Sequence, residues 1–475
     1  MSGISVRSNY FNTQYSNNQL LRDLKQGRRG VVRNTSHGIS CVYLPQNDKE
    51  PQHIYENRIR KSYLTNFLKR TIQSDSGKIL SNPINTGDLP PEYEEWFDDM
   101  DLEGKSIQVL AKDQLQAAQY KGVTLAYVDF LSDEGRPFTK EIDIDDVLSF
   151  RTDSRTNRLT FLRFQSSIVD DSDEEHLTVD NKNVIFEITP TEWRVFEDDD
   201  EDTPIDGGEI IRYRNGSKRI TNEIPVSIFY TNKTGLLLAE SPYYDLAEMT
   251  IEHFQVSSET KNMLSYALTP FLFGKGIPED CKPSSLASYI AVMLSDGQGS
   301  ENASIEWIQA DAAPLAEARE QIGDIESRIS AFGIDANGIR PSGTQTATEK
   351  SIDSAGSNAA LRMFAEGLAE HIERIVEIMS SYTLSPVNAS VDITPDFTIS
   401  DNSATVTNAI AASEKRIISK KTAAQVMAAN NSLPKSYDYD EDQEQIQEED
   451  AYLGLLGGFG NNTTTTPSQD EDVTE

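Results

Sequence analysis

Between Gly122 and Tyr230 the period of the apolar residues of this chain changes toward two, whereas on both sides of that stretch it is helical. This change of period constrains the fold most. Strand side chains alternate between two faces, while helical side chains return to one face after three or four residues. The segments GVTLAYVDF, IDIDDVLSF, RLTFLRFQSS, KNVIFEITPTEWRVFE, GEIIRYRNG and IPVSIFYTN all read as strands, rich in β-branched and aromatic residues and separated by acidic turns such as VDDSDEEH and EDDDEDTPIDGG. The chain is therefore expected to be α+β, with one β-rich core, either a sandwich or a sheet flanked by helices.

The helical parts carry their own punctuation. Tyr55, Ile59, Tyr63, Phe67 and Thr71, with Leu64 and Leu68 beside them, predict one amphipathic helix. A turn-rich segment with an aromatic anchor of Tyr93, Trp96 and Phe97 follows. A helix over about Ser106–Lys121 then places Ile107, Leu110, Leu115 and Ala118 inward. Beyond the strands, SPYYDLAEMTIEHFQVSSETKNMLSYALTP predicts a long helix capped by Ser241, with Pro242 in its first turn and Pro270 as its stop. Its polar-interrupted apolar arc (Ala247, Ile251, Phe254, Ser258, Lys261, Leu264) suits neighbours on two sides. Residues 271–310 form a small module: FLFGKG, a short helix around SSLASYIAVML, the turn SDGQGSENA and a strand in SIEWIQAD.

A helix over 312–332 follows, with Leu315, Ala318, Ile322, Ile325 and Ile329 on one face, and then a glycine-rich loop, GIDANGIRPSGTQ, at 333–345. Thr346 and Glu349 have capping-box spacing at the head of a long helix. Its stripe is Leu361, Phe364, Leu368, Ile372, Ile375 and Met379, with Glu366, Glu370, Glu373 and Glu377 facing away. Residues 384–433 hold a strand-like ASVDITPDF and a helical SATVTNAIAASEKRIISKKTAAQVMAAN. Residues 434–475 are acidic and then low in complexity, and residues 1–35, rich in Asn, Ser and Arg, read as a loose arm.

The 475 residues carry 77 acids against 43 bases, a net charge of −34, which disfavours nucleic-acid binding outside local basic patches. Two cysteines, Cys41 and Cys281, argue against a disulfide scaffold and fit a reducing compartment. The start has no apolar signal segment and no run approaches a membrane span, so a soluble intracellular protein, or one assembled inside a cell, is expected. There is no Walker A pattern, nucleophile elbow, HExxH pair or kinase signature. His37, His53, His176, His253 and His371 lack metal-ligand spacing. Asp143, Asp145 and Asp146 are the one acidic group that could hold a divalent cation, against a simpler reading as a strand edge and solvated turn. No cofactor is expected.

The element order from Tyr55 to Tyr382 resembles tailed-bacteriophage portal proteins, the head-tail connector rings through which DNA is packaged and ejected. YENRIRKSYLTNFLKRTIQ with GKILSNPI is similar to the early wing of that family, and SPYYDLAEMTIEHFQVSSETKNML to its first stem helix. TPFLFGKGI with SIEWIQA resembles the clip, PLAEAREQIGDIESRISAFG the second stem helix, and TATEKSIDSAGSNAALRMFAEGLAEHIERIVEIM the long helix after the tunnel loop.

The resemblance implies an N-terminal arm (1–50), an α/β wing (51–240) and stem helices at 241–270 and 311–332 around a clip (271–310). It further implies a tunnel loop (333–345), a long wing helix (346–383), a C-terminal helical crown (384–433) and an acidic tail (434–475). It implies a homo-oligomeric ring, a dodecamer, at one capsid vertex of the virion, assembled in the host cytoplasm. Its partners would be double-stranded DNA, the terminase motor, head-completion adaptor or tail proteins and the major capsid protein, with no membrane. Arg340, Ser342, Thr344, Gln345 and Lys350 become the DNA-contact candidates; Phe271, Phe273, Lys275, Lys282 and Trp307 become the motor- or adaptor-contact candidates. Two other readings stay open: a self-assembling virion or scaffold protein without a DNA channel, and a metal-dependent phosphoesterase using Asp143 and Asp145.

Overall fold

The computed structural model describes residues 5–446 apart from 36–37, 174–177, 198–202, 215–216, 219–222, 269–270, 276–290, 295–303, 309–312, 332–346, 384–386, 388, 396–401, 430–432, 434–438, 440–441 and 444. The chain divides into two compact units, Met1–Pro395 and Asp396–Glu475.

The first unit begins with folded structure where the composition suggested a loose arm. Helices α1 (Asn9–Asn17), α2 (Gln19–Gln26) and α3 (Arg28–Val31) lead into a hairpin of β1 (Val32–Thr35) and β2 (Gly38–Cys41). Phe11, Leu21, Leu24 and Val31 are buried. The Ser8 side chain caps α1 through the Tyr10 N–H.

Helices α4 (Gln52–Lys61) and α5 (Phe67–Ile79) stand where one helix was expected. Ser62 turns to an extended backbone that ends α4, and Asn66 caps the new helix at the Lys69 N–H. Tyr63, placed on the apolar stripe by spacing, is 67% exposed in that break.

Helix α6 (Glu92–Asp98) buries Tyr93, Trp96 and Phe97, and α7 (Ile107–Lys121) buries Leu110, Leu115 and Ala118, as the sequence predicts. Helix α7 ends at Gly122, where φ is +84° and an added Cβ would lie only 2.6 Å from the Glu240 carbonyl oxygen, which excludes any side chain.

The period-two region makes two sheets. Strands β3 (Val123–Leu131), β4 (Arg136–Ile142), β5 (Val147–Thr152), β6 (Leu159–Asp173), β7 (Thr178–Ile188), β8 (Glu192–Glu197) and β9 (Asp206–Glu209) come first. The short pair β10 (Tyr213–Arg214) and β11 (Ser217–Lys218) and then β12 (Val226–Tyr230) follow. One sheet has the order β12-β3-β4 and the other β5-β6-β7-β8-β9, with antiparallel pairing throughout. The fold is α+β with several antiparallel sheets.

A small pair, β13 (Lys233–Gly235) and β14 (Leu238–Ala239), precedes helix α8 (Tyr244–Ala267). Strands β15 (Phe271–Lys275), β16 (Ala291–Leu294) and β17 (Ser304–Ile308), helix α9 (Ala313–Ala331) and helix α10 (Ala347–Ser380) complete the unit. AVML, expected within a short helix, is strand β16, paired parallel to β15; a four-residue apolar run has no period that separates the two states.

Helix α10 lies across the β12-β3-β4 sheet with Leu361, Leu368, Ile372, Ile375 and Met379 buried. Gly367 lets it approach so closely that a Cβ there would meet the Phe229 ring at 3.1 Å. Ser227 Oγ bonds His371 Nδ1 at 2.8 Å, and the Tyr382 hydroxyl donates to the Val128 carbonyl at 2.9 Å. Glu373 does not face away as its spacing predicts: it accepts the Val391 N–H at 2.9 Å. Within the strand-like ASVDITPDF, the described residues form one bridge, Asn85 to Asp392.

In the second unit the single expected helix is two, α11 (Asn402–Glu414) and α12 (Lys420–Ala429). The chain reverses at Arg416, which has φ +56°, and Ser419 caps α12 through the Thr422 N–H.

Candidate functional site

The chain after β14 makes one excursion from the packed core and comes back. At its root α8 is held from several directions. Tyr243 donates to Asp75 Oδ2 at 2.8 Å, and the Ser241 hydroxyl donates to the Gln119 carbonyl and accepts the Tyr243 N–H. Burial raises the Asp75 carboxyl against the opposing pull of Tyr243 and Lys78. Leu246, Ala247, Ile251 and Phe254 join Tyr55, Ile59, Phe67 and Leu68 in one core, to which α9 contributes Ile325 and Ile329. Ser258 Oγ lies 2.7 Å from Ser62 Oγ, and Gln255 donates to the Tyr43 carbonyl. Ser258 and Gln255 of α8 thus bond the turns that follow α4 and β2, and the expectation of neighbours on two sides holds.

The two helices run antiparallel. Glu252 pairs with Arg328 at 2.9 Å and His253 Nε2 sits 3.3 Å from Glu326 Oε1, so one step forward on α8 is two steps back on α9. Strands β15 and β17 continue the pairing beyond the helices, with Phe271 opposite Ile308 and Lys275 opposite Ser304. Burial falls along the excursion: Met263, Leu268, Ile305 and Trp307 are 38%, 68%, 59% and 56% exposed. Strand β17 is a sheet edge whose first four residues are all exposed.

Residues 242–383 match a domain of unknown function (DUF4055). That span holds α8, the three-stranded sheet, α9 and α10. No curated protein matches the sequence. Among solved structures the chain is similar to one in the neck of an empty GTA particle, at 12% identity over 77% of this chain and 90% of that one, with a TM-score of 0.40. It is also similar to one in the virion of a native gene transfer agent (GTA) particle, at 13% identity over 80% and 93%, with a TM-score of 0.39.

The sequence-derived contact candidates separate on this frame. Phe271, Phe273 and Lys275 lie on β15, and Trp307 lies on β17 opposite Leu272. Cross-strand partners share a face, so Trp307 shares its face with Leu272 and Ile305, while Phe273 and Lys275 share the other with Glu306 and Ser304. Lys275 is exposed and Phe273 half-buried. Lys350 lies in the first turn of α10. Arg340, Ser342, Thr344, Gln345 and Lys282 lie outside the described residues, as do the Thr346 cap, Cys281, His37 and His176.

The acidic group at 143–146 is organised around a cation the sequence reading did not pair with it. Asp143 begins a 3-10 turn over Ile144–Asp146 and caps it at the Asp145 N–H. Lys121 Nζ sits 2.6 Å from both oxygens of Asp143 and 2.5 Å from Asp145 Oδ2. Arg22 bridges Asp145 at 3.1 Å, and Arg7 donates to the Asp145 carbonyl. Both guanidinium groups also lie on the Tyr15 ring, at 3.7 and 3.8 Å from its centre.

Burial alone would raise Asp143, but the Lys121 ammonium and the Asp145 N–H hold it below the usual carboxylate range. Burial, with the Asp143 charge beside it, pushes Asp146 up to about 6. Lys121 therefore stands where a divalent cation would, and the cluster ties α1 and α2 to the sheet. The readable signal was a lone lysine in the apolar run AAQYKGVTLAYV, since a buried charge needs a partner.

Among the described residues no group of His, Cys, Asp or Glu has a metal-holding arrangement, and no helix is long and apolar enough to cross a membrane. Cys41 is a buried free thiol that burial pushes up.

Proposed function

We propose that this chain is a structural subunit of a phage-like particle and that copies of it close into a portal ring, a dodecamer, at one capsid vertex. The observation that carries the reading is the α8–β15/β17–α9 excursion, fixed at its root and exposed at its tip. In this reading α8 and α9 are the stem, the three-stranded sheet is the clip and α10 spans the wing. The outward face of α9 is exposed and mixed in charge, with Glu317, Arg319, Glu320 and Asp324, and suits a neighbouring copy. The edge strand with Ile305 and Trp307 suits the packaging motor during filling and an adaptor or tail protein afterwards; the wing would meet the capsid shell.

The loop at 333–345 would face the channel, one copy per subunit. Arg340 and Asp335 are its charged residues, and Ser342, Thr344, Gln345 and Lys350 follow closely. Sliding DNA must not be gripped. Each lysine or arginine on phosphate adds salt-dependent affinity, so a ring of net negative subunits with few basic contacts suits a conduit. The role is read as structural and not enzymatic. The phosphoesterase alternative is disfavoured by one feature, the Lys121 ammonium between Asp143 and Asp145.

End-on negative-stain images and native mass spectrometry of the purified protein test the ring. Closed annular particles are expected, and a monomer at high concentration or an open polymer removes the portal reading. Within a ring, Arg340→Ala is expected to spare assembly and alter DNA packaging or retention; wild-type packaging and retention would remove the loop's role.

A further inference from the structure

The charge of this chain is unevenly spread. Residues 1–80 hold 13 bases against 5 acids, and the rest of the chain holds 30 against 72. Much of that basic charge gathers at one corner of the first unit. Arg28 and Arg29 lie on α3, Arg60 and Lys61 at the end of α4, and Lys69 and Arg70 in the first turn of α5; all six are exposed. The corner is tied together from within. Arg28 donates to the carbonyls of Ile59 and Ser62, and Asn66 at the head of α5 donates to the Leu24 carbonyl at 2.6 Å. Exposed Tyr63 stands in the break, with the Lys261 ammonium of α8 5.9 Å from the centre of its ring. Of the acids nearby, Glu56 pairs with Arg60 at 3.8 Å, and Glu259 is exposed beside Ser258. Among the described residues Lys61, Lys69 and Arg70 have no ion pair. Cations in the first turn of a helix oppose its dipole, so folding of α5 gives no reason for Lys69 and Arg70.

Helix α9 carries the complement. Glu317, Glu320 and Asp324 are exposed, share one face by their i, i+3, i+7 spacing, and have no ion pair among the described residues. Glu320 and Asp324, four apart, repel each other. Of the bases on α9, Arg328 is taken by Glu252, and Arg319 lies about 100° around the helix from Glu320. A Cβ added at Gly323, beside this stripe, would meet nothing within 4 Å, so the surface is open to close approach.

The two surfaces stand level and on opposite flanks. Extending the Glu252–Arg328 and His253–Glu326 pairing along the helices puts Ser258 and Lys261 level with about Ile322 and Arg319. Ser62 bonds Ser258 and Tyr63 lies under Lys261, so the basic corner and the acidic stripe share one height on the excursion. A helix turns by about 100° per residue, which places Ser258 and Lys261 roughly 160° around α8 from Glu252 and His253. Helix α8 therefore separates the two charges.

We infer that the basic corner of one copy docks on the acidic stripe of α9 in the next copy. Each copy offers one surface and receives with the other, a head-to-tail contact that repeats until a rotation closes it. The inference rests on the ring reading and names its interface.

Charge reversal in the full-length protein tests it. The variants K61E/K69E/R70E and E317K/E320K/D324K place like charges face to face. Each alone is expected to associate about ten-fold more weakly than wild type in sedimentation, with an unchanged unfolding midpoint. An equimolar mixture should restore particles in which the two alternate, read by native mass spectrometry, and one chain carrying all six changes should assemble by itself. Wild-type association of either variant alone, or a mixture that stays apart, overturns the pairing and leaves the ring reading standing. Open polymers of wild type with the same rescue keep the pairing and remove the ring. A wild type that is monomeric at every concentration removes both. Should K61E/K69E/R70E assemble normally but lose retention of a duplex DNA probe, the corner belongs to nucleic acid and the pairing is overturned.

Discussion

The root and the tip of the α8–α9 excursion are built from the same two helices and differ in what surrounds them. At the root Leu246, Phe254, Ile325 and Ile329 are completely buried against α4, α5 and the N-terminal helices. Toward the tip Met263 and Leu268 emerge, and the edge strand exposes Ile305 and Trp307. The difference teaches that packing within this chain holds the start of the excursion, whereas the described residues near its far end are left largely open to solvent.

The strongest attack on that contrast is at the root. Phe254→Ala removes a fully buried ring shared by α8 and α5 and is expected to cost about 3–5 kcal/mol, read as a shift in urea-unfolding midpoint. A cost near zero would mean that the root is no better packed than the tip. Next is the ion cluster that fixes the N-terminal helices behind it. Lys121→Ala leaves the Asp143 and Asp145 carboxylates without their ammonium and is expected to cost about 3 kcal/mol at neutral pH. The same experiment at pH 3 should show a smaller loss, since without the ammonium burial raises the Asp143 carboxyl, which then takes up a proton there and is no longer an unpaired charge.

A third, smaller effect comes from His371. Burial of its ring between α10 and the sheet pushes it down to about 3. The unfolded chain takes up this proton near pH 6.5, whereas the folded chain does so only near 3. The neutral ring's contribution is therefore whole at pH 7 and is lost as pH falls through 6.5, at about 1.4 kcal/mol per unit. Stability at pH 4.5 should fall by about 2–3 kcal/mol on this account, and His371→Gln should remove that part of the pH slope while keeping a bond to Ser227. Equal slopes in both proteins would defeat the argument.

The smallest effect on folding is expected at the tip. Trp307→Ser should change stability by no more than about 0.5 kcal/mol and show itself instead as weaker association of assembled particles with their partners. A large loss of folding stability would place Trp307 in a core.

Much of this contrast was legible in the sequence, and its gaps have physical causes. Helices α7 and α10 announced themselves because Leu110, Leu115 and Ala118, and Leu361, Leu368 and Ile375, keep one face for several turns. The breaks at Ser62–Asn66 and Lys415–Ser419 did not, because the helical spacing of apolar residues runs on through both. What divides each pair is backbone geometry, extended at Ser62 and left-handed at Arg416, together with the Asn66 and Ser419 caps. The N-terminal helices were hidden by polar composition, although Leu20, Leu21 and Leu24 already stood at helical spacing. Of the candidate site, the helix–sheet–helix order could be read, but the face on which Trp307 lies is set by strand register, which pairs residues far apart in the chain. Lys121 escaped pairing with Asp143 for the same reason.

Because α8 leaves the core and α9 re-enters it side by side, everything between Ala267 and Ala313 is grafted through two adjacent attachment points. A head of different length or sequence could be exchanged there without rerouting the rest of the polypeptide. This junction therefore separates changes in the intervening segment from the packing that holds the root.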